Sequence, residues 1–375
     1  ITQGDYTNTK YIDSTAAIFW SNFMSNLIAF CFTNKSDKAL SEDRWIVTSK
    51  QSIDSLSGDD TIAGRQAPST TDDWRPDWRA AVINEGAILT SLGNDNVRGT
   101  GNRYHAGLYN SGLIDTGGGD DTVQGIGGYF EGGGIVNSGQ IITRSGNDKI
   151  FASQSEDLGG SALRNGAMSG TLIPIPGRIL MGDGDDSILA KATSSSKYSY
   201  SLVLWNLGLI NTGQGNDTIT GSTPGGGAGI YNDYKQKIYM EYGNDTIIGA
   251  SGNLPMNCLA NDKFVGIHNN GLIDTGFGND VVDGSQGGFD GDGTTYLGPG
   301  NDTLKGFGTG LFYGDSGSDK LILGNGRYSI KAGAITQGET TMKTFGFELI
   351  GGPIGKPLAL KDGILIIQNE IAAFL

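Results

Sequence analysis

Proline is scarce in this chain, at 9 of 375 residues, histidine scarcer still at 2, and cysteine is limited to Cys31 and Cys258. So little proline, with no three-residue glycine period, excludes a collagen-type triple helix and argues against a proline-rich disordered chain. Two cysteines in unrelated parts of the sequence, without metal-type spacing, fit neither a disulfide framework nor a thiolate metal site, and read as two small buried hydrophobes. Long apolar runs are missing as well: the hydrophobic residues, 37% of the chain, come as short pieces between glycines. That pattern argues against long helices and suits many short strands with tight turns. Basic residues are outnumbered 26 to 40, giving a net charge of −14, so a polyanionic partner such as nucleic acid would be repelled. No basic segment followed by a cleavable apolar one is visible near Ile1, which leaves a processed chain, a fragment, or export by a signal elsewhere.

What the chain has in excess is glycine, 63 residues, against roughly 7% in ordinary proteins. Its acids recur one or two at a time just after glycine, where a cation site would put them. Charge alone would be cancelled by seven divalent ions, since twice seven equals the formal 14.

The repeat decides the architecture. A core of Gly, then Asn, Asp or Ser, then Asp, any residue, and Ile, Val or Leu occurs ten times, its aspartate falling at Asp60, Asp95, Asp121, Asp148, Asp186, Asp217, Asp245, Asp280, Asp302 and Asp319. Successive cores are 17 to 38 residues apart. A second marker, an asparagine followed by apolar positions, rides upstream at Asn84, Asn110, Asn137, Asn206 and Asn270-Gly271, and for the first four it stands 11 residues before the core aspartate. That segment is therefore rigid, and the variation follows it in loops such as Ala152 to Ser161 and Ala190 to Ser201.

Each coil reads as three short strands, for example Gly107 to Tyr109, Leu113 to Thr116 and Thr122 to Gln124. Strands this short cannot bury an apolar face alone. Stacking coil on coil buries Ile114, Val123, Ile141, Ile150, Ile210, Ile219, Ile273 and Val282 together. The asparagines are expected to be turn residues whose amides stack from coil to coil.

The best copies are Thr116-Gly117-Gly118-Gly119-Asp120-Asp121, Thr212-Gly213-Gln214-Gly215-Asn216-Asp217, Thr275-Gly276-Phe277-Gly278-Asn279-Asp280 and Leu297-Gly298-Pro299-Gly300-Asn301-Asp302. Over residues 56 to 350 the sequence resembles the RTX, or haemolysin-type, calcium-binding repeat and the related glycine-asparagine-aspartate repeats of bacterial calcium-dependent adhesins. The resemblance implies an all-β, right-handed parallel β-helix or β-roll solenoid, secreted and at the cell surface, with Ca2+ held between stacked turns. It implies ligands from the carbonyls near Gly117, Gly119, Gly182, Gly184, Gly213, Gly215, Gly276, Gly278, Gly298 and Gly300. The carboxylates would come from Asp95, Asp121, Asp148, Asp186, Asp217, Asp245, Asp280, Asp302 and Asp319. Leu56, Ser91, Arg144 and Glu241 replace the first glycine in four copies, and Arg144 would repel a cation, so about five to eight ions are expected.

Linkage supplies the mechanism. With a dissociation constant of about 0.1–1 mM, a tenfold excess of calcium adds about 1.4 kcal/mol per site. Several sites together approach a domain's stability of about 5–15 kcal/mol. The chain would stay loose at cytosolic calcium and fold outside the cell, consistent with the unfolded export that the family uses.

The ends fall outside the repeat. Residues 1–55 are expected to form an N-terminal cap with an amphipathic helix starting near Ser14, 56–326 the solenoid, and 327–375 a C-terminal β cap whose last residues, Ile371 to Leu375, are a candidate export signal. The favoured role is a structural or adhesive protein of a surface layer, sheath, matrix or filament, with self-association and cell-surface polysaccharide as expected partners and no membrane span. The alternative is a calcium-dependent polysaccharide lyase or epimerase using Trp74, Arg75, Trp78, Arg79, Arg103, Tyr104 or His105. No GxSxG, HExxH or Cys/His pairing supports an enzyme, and His105 and His268 occupy different coil positions. The row after the aspartates, such as Asn96, Thr122, Lys149 and Val281, is too irregular for an ice-binding ladder.

Overall fold

The computed structural model describes residues 9–12, 34–41, 45–47, 52–65, 80–102, 105–128, 133–154, 160–168, 174–193, 200–252 and 264–375. Among these residues every regular element is a strand. The expected N-terminal helix, and with it Cys31 and Cys258, lies outside the described residues.

One coil shows how the sequence makes the fold. The strand Ala106–Asn110 is followed by a turn at Ser111 and Gly112, the strand Leu113–Asp115, the glycine turn, and the strand Thr122–Gly127. Side chains alternate in and out along each strand, so Leu108, Ile114 and Val123 point inward with no exposed surface. The neighbouring coils repeat this in parallel register: Ile114 pairs with Ile88 and Ile141, Val123 with Val97 and Ile150, and Leu108 with Val82 and Ile135. Repetition turns these positions into three continuous apolar columns. At about 1.5–3 kcal/mol for each buried aliphatic side chain, the columns drive the stacking. All eight residues expected to stack are at most 1% exposed.

The columns generate three long sheets. The sheet after the aspartates has 14 strands, the sheet between asparagine and glycine turn has 15, and the sheet before the asparagines has 10. This is the parallel β-solenoid that the repeat implied. The spacing between strands varies most at one corner, between the first and third of these sheets, from two residues, 224–225, to fourteen, 66–79. There the sheets meet glycine to glycine: a Cβ on Gly99 would lie 1.8 Å from the Gly107 carbonyl oxygen, and one on Gly125 2.1 Å from that of Gly134.

The parallel ladders extend upstream of residue 56. Lys38–Ser41 pairs with Thr61–Arg65, Trp45–Val47 with Ala80–Asn84, and Ser52–Asp54 with Ala87–Leu89. At the other end the direction changes. Gly326–Lys331, Ala334–Gln337, Thr340–Phe345, Gly363–Gln368 and Ile371–Phe374 pair antiparallel, burying Tyr328, Ile335, Met342 and Leu365. Two strands of this region, Thr340–Phe345 and Leu349–Gly351, continue the parallel ladders of the last coil and so close its edge. The terminal residues Ile371 to Phe374 form the outermost strand.

Candidate metal centre

Each glycine turn ends on its aspartate, and all ten, from Asp60 to Asp319, are at most 2% exposed. Each Oδ1 from Asp95 onward accepts the backbone N–H of the aspartate one coil upstream. The distances run from 2.7 Å, for Asp60 N to Asp95 Oδ1, to 2.9 Å, for Asp302 N to Asp319 Oδ1. The ladder is longer than the motif that revealed it. Asp37 N donates to Asp60 Oδ1 at 2.7 Å, and Asp319 N donates to Glu348 Oε2 at 2.8 Å. The other oxygen, Oδ2, is buried without a hydrogen-bond partner in all ten aspartates.

A second ladder runs on the exposed side, through the residue before each aspartate: Asp120 N donates to Asn94 Oδ1 at 2.7 Å, and Asn279 N to Asn244 Oδ1 at 2.8 Å. A third fills a different corner. Asn84, Asn110, Asn137, Asn165, Asn206, Asn232 and Asn269 each donate one amide proton to the next in line at 2.8–2.9 Å, until the last. The second proton goes to a backbone carbonyl, as from Asn137 to Arg178 O at 3.0 Å. The expected amide stack is therefore present, with Asn165 and Asn232 added. The expectation for Asn270 is corrected to Asn269. Asn269 stands at the 11-residue distance from Asp280, whereas Asn270 pairs with His268.

Electrostatics sets the aspartate column apart. Adjacent strands lie about 4.8 Å apart, so two ionised carboxylates one coil apart repel by roughly 3.5 kcal/mol at an effective dielectric of about 20. Nine neighbouring pairs sum to about 30 kcal/mol, beyond the 5–15 kcal/mol that holds a domain folded. The folded column therefore requires protons or cations. Burial, with neighbouring carboxylates adding to it, lifts Asp95 and Asp280 to about 6, Asp121 and Asp302 to about 7, and Asp186 and Asp245 to about 8. Asp60, Asp148, Asp217 and Asp319 are also raised, chiefly by burial.

The turns have the geometry that the glycines suggested. Gly119 has a φ of +129° and a Cβ there would lie 2.0 Å from the Gly93 carbonyl oxygen; Gly117, Gly182, Gly184, Gly213, Gly215, Gly276, Gly278 and Gly298 also have positive φ. Gly300 does not, but a Cβ on it would lie 1.4 Å from the Gly278 carbonyl oxygen. Where the first glycine is replaced the backbone keeps its left-handed conformation, at φ 68° for Leu56, 67° for Ser91, 71° for Arg144, 67° for Glu241 and 67° for Asp315, which holds the same place in the last turn. Such residues are strained. Arg144 is turned outward, its Nε 2.7 Å from Asp115 Oδ1 and its terminal nitrogen 2.5 Å from Oδ2, so its charge is neutralised by Asp115.

Among the described residues no group of three or more His, Cys, Asp or Glu side chains converges on one point. A hard cation in this column would draw its six to eight oxygens from stacked carboxylates, turn carbonyls and hydroxyls. The orphaned, buried Oδ2 atoms suit that donor set.

Trp74, Arg75, Trp78, Arg79, Arg103 and Tyr104 lie outside the described residues. His105 is buried against the Asn102 side chain. His268 lies on another coil, stacked on Tyr231 at 4.5 Å with its Nδ1 3.4 Å from Asp290 Oδ2. The two histidines do not share a site. No helix among the described residues is long and apolar enough to cross a membrane.

No family model matches the chain, and no curated protein matches it. The solved structure of a hyperactive, Ca2+-dependent, β-helical antifreeze protein from an Antarctic bacterium is similar over 88% of this chain and 80% of that one, at 16% identity and a TM-score of 0.35. A likeness that loose transfers neither a site nor an activity.

Proposed function

We propose that this chain is an extracellular structural or adhesive β-solenoid whose aspartate column binds Ca2+ and is held together by it. One observation carries the calcium assignment. The solenoid has two buried ladders, and one uses asparagine at all seven positions while the other uses aspartate at all ten repeat positions. Hydrogen bonding alone favours asparagine, which accepts through Oδ1 and donates through Nδ2. Aspartate gives the same acceptor but adds buried charge and an orphaned oxygen, a cost that is offset when a cation fills the column.

The bound ion would supply charge neutralisation and cross-linking between coils, with its carboxylate ligands drawn from the ten ladder aspartates. The protein's own parts do the rest. Positive-φ glycines bring the turns into contact, and the apolar columns fix the register. Low cytosolic calcium would leave the carboxylates repelling, and the higher extracellular concentration would fold the chain.

Export, surface location and assembly into a layer, sheath, matrix or filament belong to the same proposal. The long ordered ladder, capped by antiparallel strands at the C-terminal side, suits a rigid spacer. Electron microscopy of the purified protein with and without calcium tests assembly: calcium-dependent filaments or sheets are expected, and dispersed monomers under both conditions would remove that part of the proposal.

A further inference from the structure

We propose that the residue five positions before each ladder aspartate decides which turns hold a divalent cation: turns with a hydroxyl there bind, and turns with Met181, Met240, Leu297 or Gly314 do not. This rests on the calcium assignment and goes beyond it by naming the turns used.

The position faces the orphaned oxygen directly. A Cβ added at Gly314 would lie 2.7 Å from Asp319 Oδ2. In six turns it is Ser55, Thr90, Thr116, Thr143, Thr212 or Thr275, and each of these hydroxyls stands within hydrogen-bonding reach of its aspartate's carboxyl group.

The hydroxyl protons are directed elsewhere. Thr90 Oγ1 donates to Thr116 O at 2.9 Å, Thr143 Oγ1 to Met181 O at 3.1 Å and Thr275 Oγ1 to Leu297 O at 2.8 Å. A hydroxyl has one proton, so its lone pairs are what remain for the aspartate side. Lone pairs of Oγ1 then oppose those of Oδ2, an arrangement that a cation between them turns from repulsive to attractive. At Thr116 and Thr212 no backbone carbonyl takes the proton, and a buried Oγ1 and a buried Oδ2 stand side by side.

The other four turns lack this oxygen. Met181, Met240 and Leu297 are fully buried. A thioether is a soft ligand that a hard cation passes over, leucine offers none, and Gly314 has no side chain. Calcium's demand for six to eight oxygens is harder to meet there.

Glycine content and the hydroxyl rank the turns differently, which makes the proposal separable from the motif. By glycines the turn of Asp302 is among the best and those of Asp95 and Asp148 among the weak; by the hydroxyl the order reverses.

The experiment counts calcium bound to the full chain by equilibrium dialysis and atomic emission at saturating calcium, with folding of each variant checked by circular dichroism. Wild type is expected to hold about six ions. Thr116→Val should lose one, Thr116→Ser should keep it, and Met181→Thr and Met240→Thr should each gain one. Unchanged counts in Met181→Thr and Met240→Thr would overturn the proposal even if Thr116→Val fails to fold, as would a wild-type count near ten. A wild-type chain that binds no calcium would overturn the calcium assignment itself.

Discussion

The backbone N–H of Asp121 donates to Oδ1 of Asp148, one coil downstream, at 2.8 Å, while Oδ2 of both residues is buried without a partner. This relationship, repeated along the solenoid, makes each carboxylate a structural hydrogen-bond acceptor and a source of uncompensated charge at once.

Stability should depend on pH in opposite senses with and without metal. The carboxyls of Asp121 and Asp280, raised to about 7 and about 6 chiefly by burial, hold a proton more tightly folded than unfolded, where the value is about 3.9. Their contribution is present in full below about pH 4 and is lost as pH rises through about 6 to 7. In chelator the melting temperature should therefore fall between pH 5 and pH 8. With saturating calcium it should rise over the same range, because protons then compete with the ion. Parallel slopes under both conditions would contradict this.

Asp217→Asn keeps the acceptor for the Asp186 N–H and removes the charge. The variant should melt higher than wild type in chelator and lower in calcium, by about 1–2 kcal/mol in each direction. Destabilisation of equal size in both would mean that the charge has no partner to lose.

Asn137 tests the other ladder. Its amide donates to Asn165 Oδ1 and Arg178 O and its Oδ1 accepts from Asn110, so Asn137→Ala strands buried partners. A loss of about 2–4 kcal/mol is expected, equal with and without calcium, as read from denaturant unfolding in each condition.

Adjacent glycines should differ sharply. Gly119→Ala drives a Cβ to 2.0 Å from the Gly93 carbonyl oxygen at a φ of +129°, whereas at Gly118 the nearest atoms are side chains 3.2 and 3.3 Å away. Gly119→Ala should lower the melting temperature strongly, and Gly118→Ala should leave it within a few degrees of wild type.

Much of this was legible in the sequence because both ladders use one residue type at a fixed offset. The 11-residue step from asparagine to aspartate located Asn84, Asn110, Asn137 and Asn206. It hid Asn165, where the antiparallel strand Pro174–Pro176 is inserted before Asp186, and Asn232, where the turn to Lys237 is longer. Asp37 escaped because Lys35 stands where the core motif has glycine, and Glu348 because Phe347 and a glutamate follow Gly346 where the core motif has Asn, Asp or Ser and then aspartate. The hydroxyl five residues before the aspartate was visible as the Thr of the best copies, but only stacking shows that its side chain faces the orphaned oxygen.

The most direct test is a pair of calorimetric scans of the intact chain at pH 7.5, one in 1 mM calcium and one after exhaustive chelation. The account predicts a cooperative transition in calcium and, in chelator, either a midpoint lower by roughly 10 °C or more or no cooperative transition. Superimposable scans would contradict it.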